Sequence, residues 1–399
     1  MSAVRPCSPD IRLITDIPAG AVVVGEELSA LGAVRSLAQA NVPCFVTVTP
    51  AHRGTMRSRY AVQVPIDSFI DDALLEPLED LARRLDRPLV LLPTNDDAAS
   101  TISRHRDRLA ARFRFCLPSH DLLLAMARKK DFQDRAEALG CPVPRSVHVT
   151  SAADVPAIAG LSFPCIVKPG RRDPAYDAQF AKAYLMEEPG ETIALVRQLL
   201  KTLPDIIVQD YIDGPNENIH FCLQYRAASG QVLASFTGRK LRSLPPDRGI
   251  TASCVAAPEV AEELERLTEQ FFGPVGVVGL CSMEYKFDAK RKRFLMVEPT
   301  AGRINWQEEI ATLNGVNLPY AAWRDLSGLP PFPRTVGSAG VGWRNSYAHW
   351  HPSWLRRRDA AGFPEGTRVV DAHWRLDDPL PALAEAYGWL HRQVAKLRR

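Results

Sequence analysis

Residues 21–48 run AVVVG, EELSALGAVRSLAQANV and PCFVTV: an apolar stretch, an amphipathic stretch of helical period, and a second apolar stretch. A strand apolar on both faces needs cover on both, and two such strands joined through a helix lie parallel. The opening therefore commits the chain to a βαβ unit within a parallel sheet. Gly25 and Gly32 do not make the GxGxxG spacing of a dinucleotide-binding turn, so the unit is expected to be scaffold. PLVLLP (88–93) and the polar turn TNDD (94–97) continue the same sheet.

With 399 residues the chain can hold two or three domains, and 46% apolar with 24% charged residues is ordinary for a globular protein. A net charge of +3 gives no general attraction to nucleic acid. The N-terminal MSAVRPCSPDIRLITDIPAG has no apolar signal core, and no apolar stretch approaches 18 residues. The eight cysteines show no CxxC spacing, and Cys44, Cys165 and Cys281 sit in apolar runs. These features predict a cytoplasmic protein with reduced cysteines and neither a nucleic-acid nor a membrane partner.

A helix, DLLLAMARKKDFQDRAEALG, ends at Gly140, and the prolines of CPVPRS break the chain after it. The first boundary is placed near Pro118. A strand FPCIVKP (163–169), a polar loop, a helix ETIALVRQLLKTL (191–203) and a strand IIVQDYI (206–212) follow. From Asn218 onward the pattern is antiparallel strands with one helix, VAEELERLTEQFF (260–272). No internal repeat or low-complexity tract is present.

The segment LCSMEYKFDAKRKRFLMVEPTAGR (280–303) reads as a hairpin around the polar Asp288–Lys292. With the turn centred on Lys290, Glu284 lies opposite Met296 and Glu298 opposite Ser282. Glu284, Lys286, Met296 and Glu298 then share one face, with the carboxylates as diagonal neighbours. Such a pair repels unless a cation sits between, and two carboxylates completed by phosphate oxygens suit Mg2+. The competing reading is a solvated amphipathic hairpin.

The pieces RKKDFQDRAEALGCPVP (128–144), FPCIVKP (163–169), IIVQDYIDGPNE (206–217), RKLRSLPPDRG (239–249), SMEYKFD (282–288) and VEPTAGR (297–303) occur in an order that resembles the ATP-grasp superfamily. The chain closes that pattern with LNGVNLPYAAWRDLSGLP (313–330), and the resemblance covers about residues 20–330. Within the superfamily it looks most like the carboxylate-amine ligase group that includes D-aspartate ligase. The fold class implied is α/β and α+β: a Rossmann-like N-terminal domain (1–118) before a two-lobed ATP-grasp fold. Its small lobe with a linker helix spans 119–205, its large lobe with the metal site spans 206–330, and 331–399 is a Trp- and Arg-rich extension.

By that resemblance ATP and Mg2+ are the cofactors, and small amino-acid-like carboxylate and amine molecules are the substrates; a homodimer is compatible with it. Lys168, ending a strand before Pro169, and Lys129, or its neighbour Lys130, are assigned to phosphates. Gln209, Asp210, Tyr211 and Ile212 form the hinge that reads adenine, and Glu217, with Asp213 as competitor, accepts from the ribose. Arg239, favoured over Lys240 and Arg242, and Lys182 of the loop GRRDPAYDAQFAKAYL (170–185) serve phosphate transfer. Glu284 and Glu298 hold Mg2+. The superfamily has Asn two residues after the second carboxylate and Arg two further; here Thr300 and Gly302 stand there, with Arg303 one late. Thr300 or, with a bulge at Ala301-Gly302, Asn305 completes the metal set. The implied reaction forms an acyl phosphate that an amine displaces; the alternative is a nucleotide-binding regulatory protein without turnover, favoured by Thr300. His349-Trp350-His351 lacks further ligands for zinc and reads as packing, as do the five tryptophans beyond residue 340.

Overall fold

The structure, a computed structural model, describes residues 19–170, 183–246, 249–331, 340–355, 357 and 361–397. Strands β1 (Gly20–Val24), β2 (Cys44–Val48), β3 (Ala61–Pro65), β4 (Leu89–Pro93) and β5 (Phe113–Arg114) form a parallel sheet in the order β3-β2-β1-β4-β5. Helices α1 (Glu27–Gln39), α2 (Asp72–Leu85), α3 (Asp96–Arg104) and α4 (Arg106–Ala110) connect them. β1, β2 and β4 are buried at every position, as continuous apolar runs require. Strand order reverses between β1 and β4, which opens a crevice beyond their carboxyl ends.

The single helix expected over 121–140 is two, α5 (His120–Ala127) and α6 (Lys129–Ala138), because Arg128 between them is extended at φ −95°, ψ 121°. A four-stranded sheet, β6-β9-β7-β8, follows: β6 (Ser146–Val149), β7 (Cys165–Pro169), β8 (Tyr184–Met186) and β9 (Ile206–Asp210), backed by α7 (Pro189–Leu199). β9 lies between β6 and β7, so residues 206–210 belong to this sheet.

The large sheet has the order β14-β13-β10-β11-β12-β15-β16. Its members are β10 (Ile219–Arg226), β11 (Val232–Leu244), β12 (Ile250–Ala256), β13 (Gly279–Asp288), β14 (Arg293–Ala301), β15 (Val341–Arg344) and β16 (Arg368–Asp371). Helices α8 (Ala261–Val275), α9 (Glu309–Leu313), α10 (Leu318–Leu326), α11 (Ser346–His349), α12 (Pro352–Leu355) and α13 (Leu380–Leu397) complete the fold. One face of the sheet, through Phe221, Leu223 and Tyr225, shares a core with β1, α1 and α10. The other, through Cys222, Met283 and Tyr285, packs on Phe132 of α6 and on Leu264 and Phe271 of α8. β10 is buried throughout because both of its faces are covered.

Two further boundaries move. β11 runs through Arg239, Lys240 and Arg242 instead of ending at 238, because pairing with β12 continues past a bulge at Leu241. The segment from 331, set apart by composition, is integral: β15 pairs with β12, and Arg35 of α1 lies 3.0 Å from Asp378, both buried. Seven cysteines, among the described residues, are free. Among the described residues no helix is long and apolar enough to cross a membrane.

Candidate active site

The β13–β14 hairpin sets the centre of the site. Asp288 opens the turn by accepting from the backbone of Lys290 (2.9 Å) and Arg291 (3.0 Å), leaving four residues between Asp288 and Arg293. That wider turn shifts the register from the expected one, and a second shift leaves Val297 out of the ladder. Glu284 therefore stands directly across from Glu298, not diagonal to it, and Met296 pairs with Tyr285 in the core on the opposite face. Two like charges in direct cross-strand register are unfavourable without a cation.

One cation is supplied by the chain. Lys240 Nζ lies 2.5 Å from Glu284 Oε2, and its side chain is only 6% exposed. Strand alternation explains why it is Lys240: it shares a row with Ile219 and Lys286, on the face of Glu284. Arg239 shares a row with His220 and Tyr285 on the other face. There its guanidinium faces Glu259 at 3.7 Å, so the sheet separates Arg239 from the carboxylates. Arg242 is also removed from them: it donates to the carbonyls of Ala361 (2.8 Å) and His349 (3.0 Å). Lys286 Nζ sits 4.8 Å above the Tyr211 ring, joining the large sheet to the hinge.

Ser282 pairs with Thr300, two residues along the same face as the carboxylates. Gly302 turns the chain at φ +74°, and Asn305 comes back beside this pair. Its Nδ2 donates to Ser282 Oγ at 2.5 Å and reaches Thr300 Oγ1 at 3.5 Å, while its Oδ1 accepts from Trp306 N at 2.6 Å. Thr300 and Asn305 are thus both brought to the carboxylates. Among the described residues no group of three His, Cys, Asp or Glu side chains gathers, so Glu284 and Glu298 are the whole acidic set. His349 Nδ1 is 2.8 Å from Ser253 Oγ. Burial, with Arg242 and Arg344 nearby, pushes the His349 imidazole down to about 4.

On the small lobe Lys168 Nζ donates to Gln209 Oε1 at 3.0 Å. Lys130 is paired with Asp134 one turn along α6, whereas Lys129 N, at the start of that helix, lies 3.4 Å from Gly170 O beside the end of β7. Lys182 lies outside the described residues. The Asp210 side chain is structural: buried, it accepts from Ser162 N at 2.9 Å and faces Arg291 at 3.6 Å, which ties the hairpin tip to β9. Tyr211 N is taken by Pro164 O at 3.0 Å, while among the described residues no backbone acceptor meets Ile212 N. Asp213 accepts from Gly214 N in its own turn, and Glu217 is half-buried in the same segment, where its charge acts on Arg242.

Arg303 is not with the carboxylates. It pairs with Asp96 at the start of α3, and Ile304 N donates to Pro93 O at 2.9 Å. β14 thus leads from the acidic pair straight to the switch-point crevice of the parallel sheet. There Gly25 passes so close to Thr94 that a Cβ would meet Thr94 Oγ1 at 1.8 Å. The Thr94 hydroxyl, buried, has no hydrogen-bond partner among the described residues. Thr49 Oγ1 donates to Glu26 Oε2 at 2.8 Å, and His52 Nδ1 lies 2.8 Å from Glu26 Oε1 in an ion-pair contact. Burial pushes the Glu26 carboxyl up, but His52 and Thr49 outweigh it and hold it below the usual value; Glu26 in turn raises His52. Glu27 carries a left-handed backbone at φ +66°, a costly conformation for glutamate that clusters at functional sites. Sequence reasoning missed Glu26, His52 and Thr94, for which the sheet order is the only signal, and ranked Lys240 below Arg239, where strand alternation from Glu284 was the available signal.

No protein-family model matches the chain, and no curated protein sequence matches it. Solved structures do. N5-carboxyaminoimidazole synthetase from Staphylococcus aureus superposes with a TM-score of 0.63 over 88% of this chain and 91% of that one, at 13% identity. A biotin carboxylase–β-γ-ATP complex from Campylobacter jejuni gives 0.60 over 81% and 74%, at 11% identity. This chain has the ATP-grasp fold. A third ATP-grasp structure, the biotin carboxylase domain dimer of Hydrogenobacter thermophilus 2-oxoglutarate carboxylase with MgADP, ADP and bicarbonate, gives 0.60 over 81% and 73%, at 15% identity. At these identities the likeness carries the fold, and the chemistry must be argued from this chain's own residues.

Proposed function

We propose that this chain is an ATP-dependent, ADP-forming carboxylate-amine ligase. The observation that carries the reading is the facing pair Glu284 and Glu298, on one sheet face with Lys240 and Lys286 and with the Tyr211 hinge beside them. The donor set suits Mg2+: two carboxylates and neutral oxygens from Thr300, Ser282 or Asn305 are hard ligands that leave positions for phosphate. When bound, Mg2+ would screen the charge of the transferring phosphoryl group.

In this reading the apolar hinge covers adenine, Ile212 N reads its edge, Glu217 accepts from the ribose, and Lys168 and Lys129 meet phosphates. Lys240, held by Glu284 and shielded from water, is poised to lean toward the γ-phosphoryl as negative charge shifts. No side-chain nucleophile is required, because the acid substrate's carboxylate attacks the phosphoryl group and the amine then displaces phosphate. The switch-point crevice lies at the end of β14, and its acids, Glu26 above all, suit the cationic form of the amine substrate. A nucleotide-binding regulator remains the second reading, favoured by Thr300 standing where an amide ligand would be stronger. ADP release, screened over paired acids and amines with ATP and Mg2+, separates them. A ligase gives ADP and phosphate in equal amounts only when acid and amine are both present. Nucleotide binding with no release under any pair overturns the ligase.

A further inference from the structure

The tryptophans beyond residue 340, expected as packing, divide. Trp343 and Trp354 are buried, whereas Trp350 is 49% exposed and two guanidiniums share its ring: Arg242 Cζ lies 5.8 Å and Arg344 Cζ 5.7 Å from its centroid. Strand pairing puts both arginines in one row. Lys240, Cys254 and Trp343 pair across β11, β12 and β15 on the face of the acidic pair, and one step along β12, Ser253 pairs with Arg242 on one side and Arg344 on the other. The bulge at Leu241 is what lets Arg242, two residues from Lys240, change face. The row Arg242–Ser253–Arg344 therefore lies on the sheet face opposite Lys240, with His349 Nδ1 on Ser253 Oγ and Trp350 next to it in sequence.

Arg242 is the anomaly in this row. The described residues include three buried arginines, of which Arg35 meets Asp378 and Arg226 meets Glu269, but Arg242, 8% exposed, meets no carboxylate. Its Nε and Nη1 donate to the carbonyls of Ala361 and His349, dipoles that do not cancel a full charge, and Glu217 acts on it without forming an ion pair. Arg344 has Asp371 at 3.4 Å, but that carboxylate is shared with Ser346 Oγ and the backbone of His373 and Trp374. Arg242 Nη2 has no hydrogen-bond partner among the described residues and is not among the polar atoms sealed from water. A planar fork with one free edge, short of negative charge, is suited to an oxyanion.

We propose that Arg242, Arg344 and Trp350 form a binding site for a small organic anion, a carboxylate or phosphate joined to a flat apolar body, on the sheet face opposite the acidic pair. The guanidiniums take the oxyanion, and the open part of the indole covers the body. The site stands whether or not the chain is a ligase, because none of its three residues belongs to the nucleotide or metal set.

Calorimetry of the full chain tests this with two pairs of probes, benzoate against acetate and phenyl phosphate against inorganic phosphate. At least one aromatic anion should bind with a dissociation constant of about 1 mM or tighter, and about tenfold more tightly than its bare counterpart. Trp350→Ala should erase that preference. Arg242→Lys, which keeps the charge but loses the fork, should weaken both members of the pair by about tenfold. Should Arg242→Lys misfold, Arg344→Gln, at a half-exposed position, carries the same test. Lys168→Met, on the small lobe, should bind the probes as the parent does. A parent that binds no probe, a parent without the aromatic preference, or binding indifferent to the Trp350 and arginine variants would each overturn the proposal. So would binding lost in Lys168→Met, which would place the anion with the nucleotide instead.

Discussion

Lys240 and Glu284 form a 2.5 Å ion pair in which the lysine is buried and the carboxylate half-buried, directly beside the exposed Glu298. The pair makes the two carboxylates unequal. Glu284→Gln strips the partner from a buried ammonium and should destabilise the metal-free protein by about 1–3 kcal/mol. Glu298→Gln removes a like charge and should leave it as stable or more so. Both should abolish ADP release, which Arg239→Lys, on the far face of the sheet, should leave near the parent rate. Thermal unfolding with and without Mg2+ and ATP, read beside turnover, checks this; equal stabilities for the two Gln variants would dismiss the Lys240 pairing.

Lys168→Met tests the small lobe. Its ammonium holds Gln209 Oε1 at 3.0 Å from a strand end, a contact the fold can lose. ATP affinity measured by calorimetry should fall more than tenfold, since a phosphate ion pair supplies roughly 1.5–3 kcal/mol, with melting shifted by only a few degrees. Unchanged ATP affinity would take Lys168 out of the site.

Glu308 predicts a pH dependence. Buried, with Glu309 adjacent and, among the described residues, only the Ser36 and Thr312 hydroxyls as donors, its carboxyl is pushed up from 4.5 to about 8. Below pH 4.5 the folded and unfolded chains both hold this proton. Between 4.5 and about 8 only the folded chain does, so this group's contribution to stability falls as pH rises across that window. The loss is on the order of a few kcal/mol, and Glu308→Gln should flatten it. Melting temperatures from pH 5 to 8.5 for both proteins decide; parallel curves would mean that Glu308 is ionised in the fold.

Asp378→Ala should cost about 3–5 kcal/mol, because it leaves Arg35 buried without its charge partner. Arg35 keeps only carbonyl acceptors, Ala372 O at 2.5 Å and His373 O at 3.2 Å. Denaturant unfolding measures this, and a loss below 1 kcal/mol would mean that the C-terminal segment is a separable extension after all.

The sequence by itself determined the elements whose signal is local. Continuous apolar runs specified β1, β2 and β4, and their alternation with helical period specified a parallel sheet. The Asp288–Lys292 break specified a hairpin bearing two carboxylates, because that depends only on neighbours along the chain, and the motif order resembled that of the ATP-grasp superfamily, whose fold the structure has. Tertiary structure decided everything set by register and by distant partners. Whether Glu284 faces Glu298 or Met296 turned on one extra turn residue and one bulge, since side-chain period two makes a single-residue shift change the face. The same parity put Lys240 on the face of the two carboxylates and Arg239 on the other. Arg303 met Asp96, and Arg35 met Asp378, across 207 and 343 residues of chain, separations at which no periodic pattern carries information.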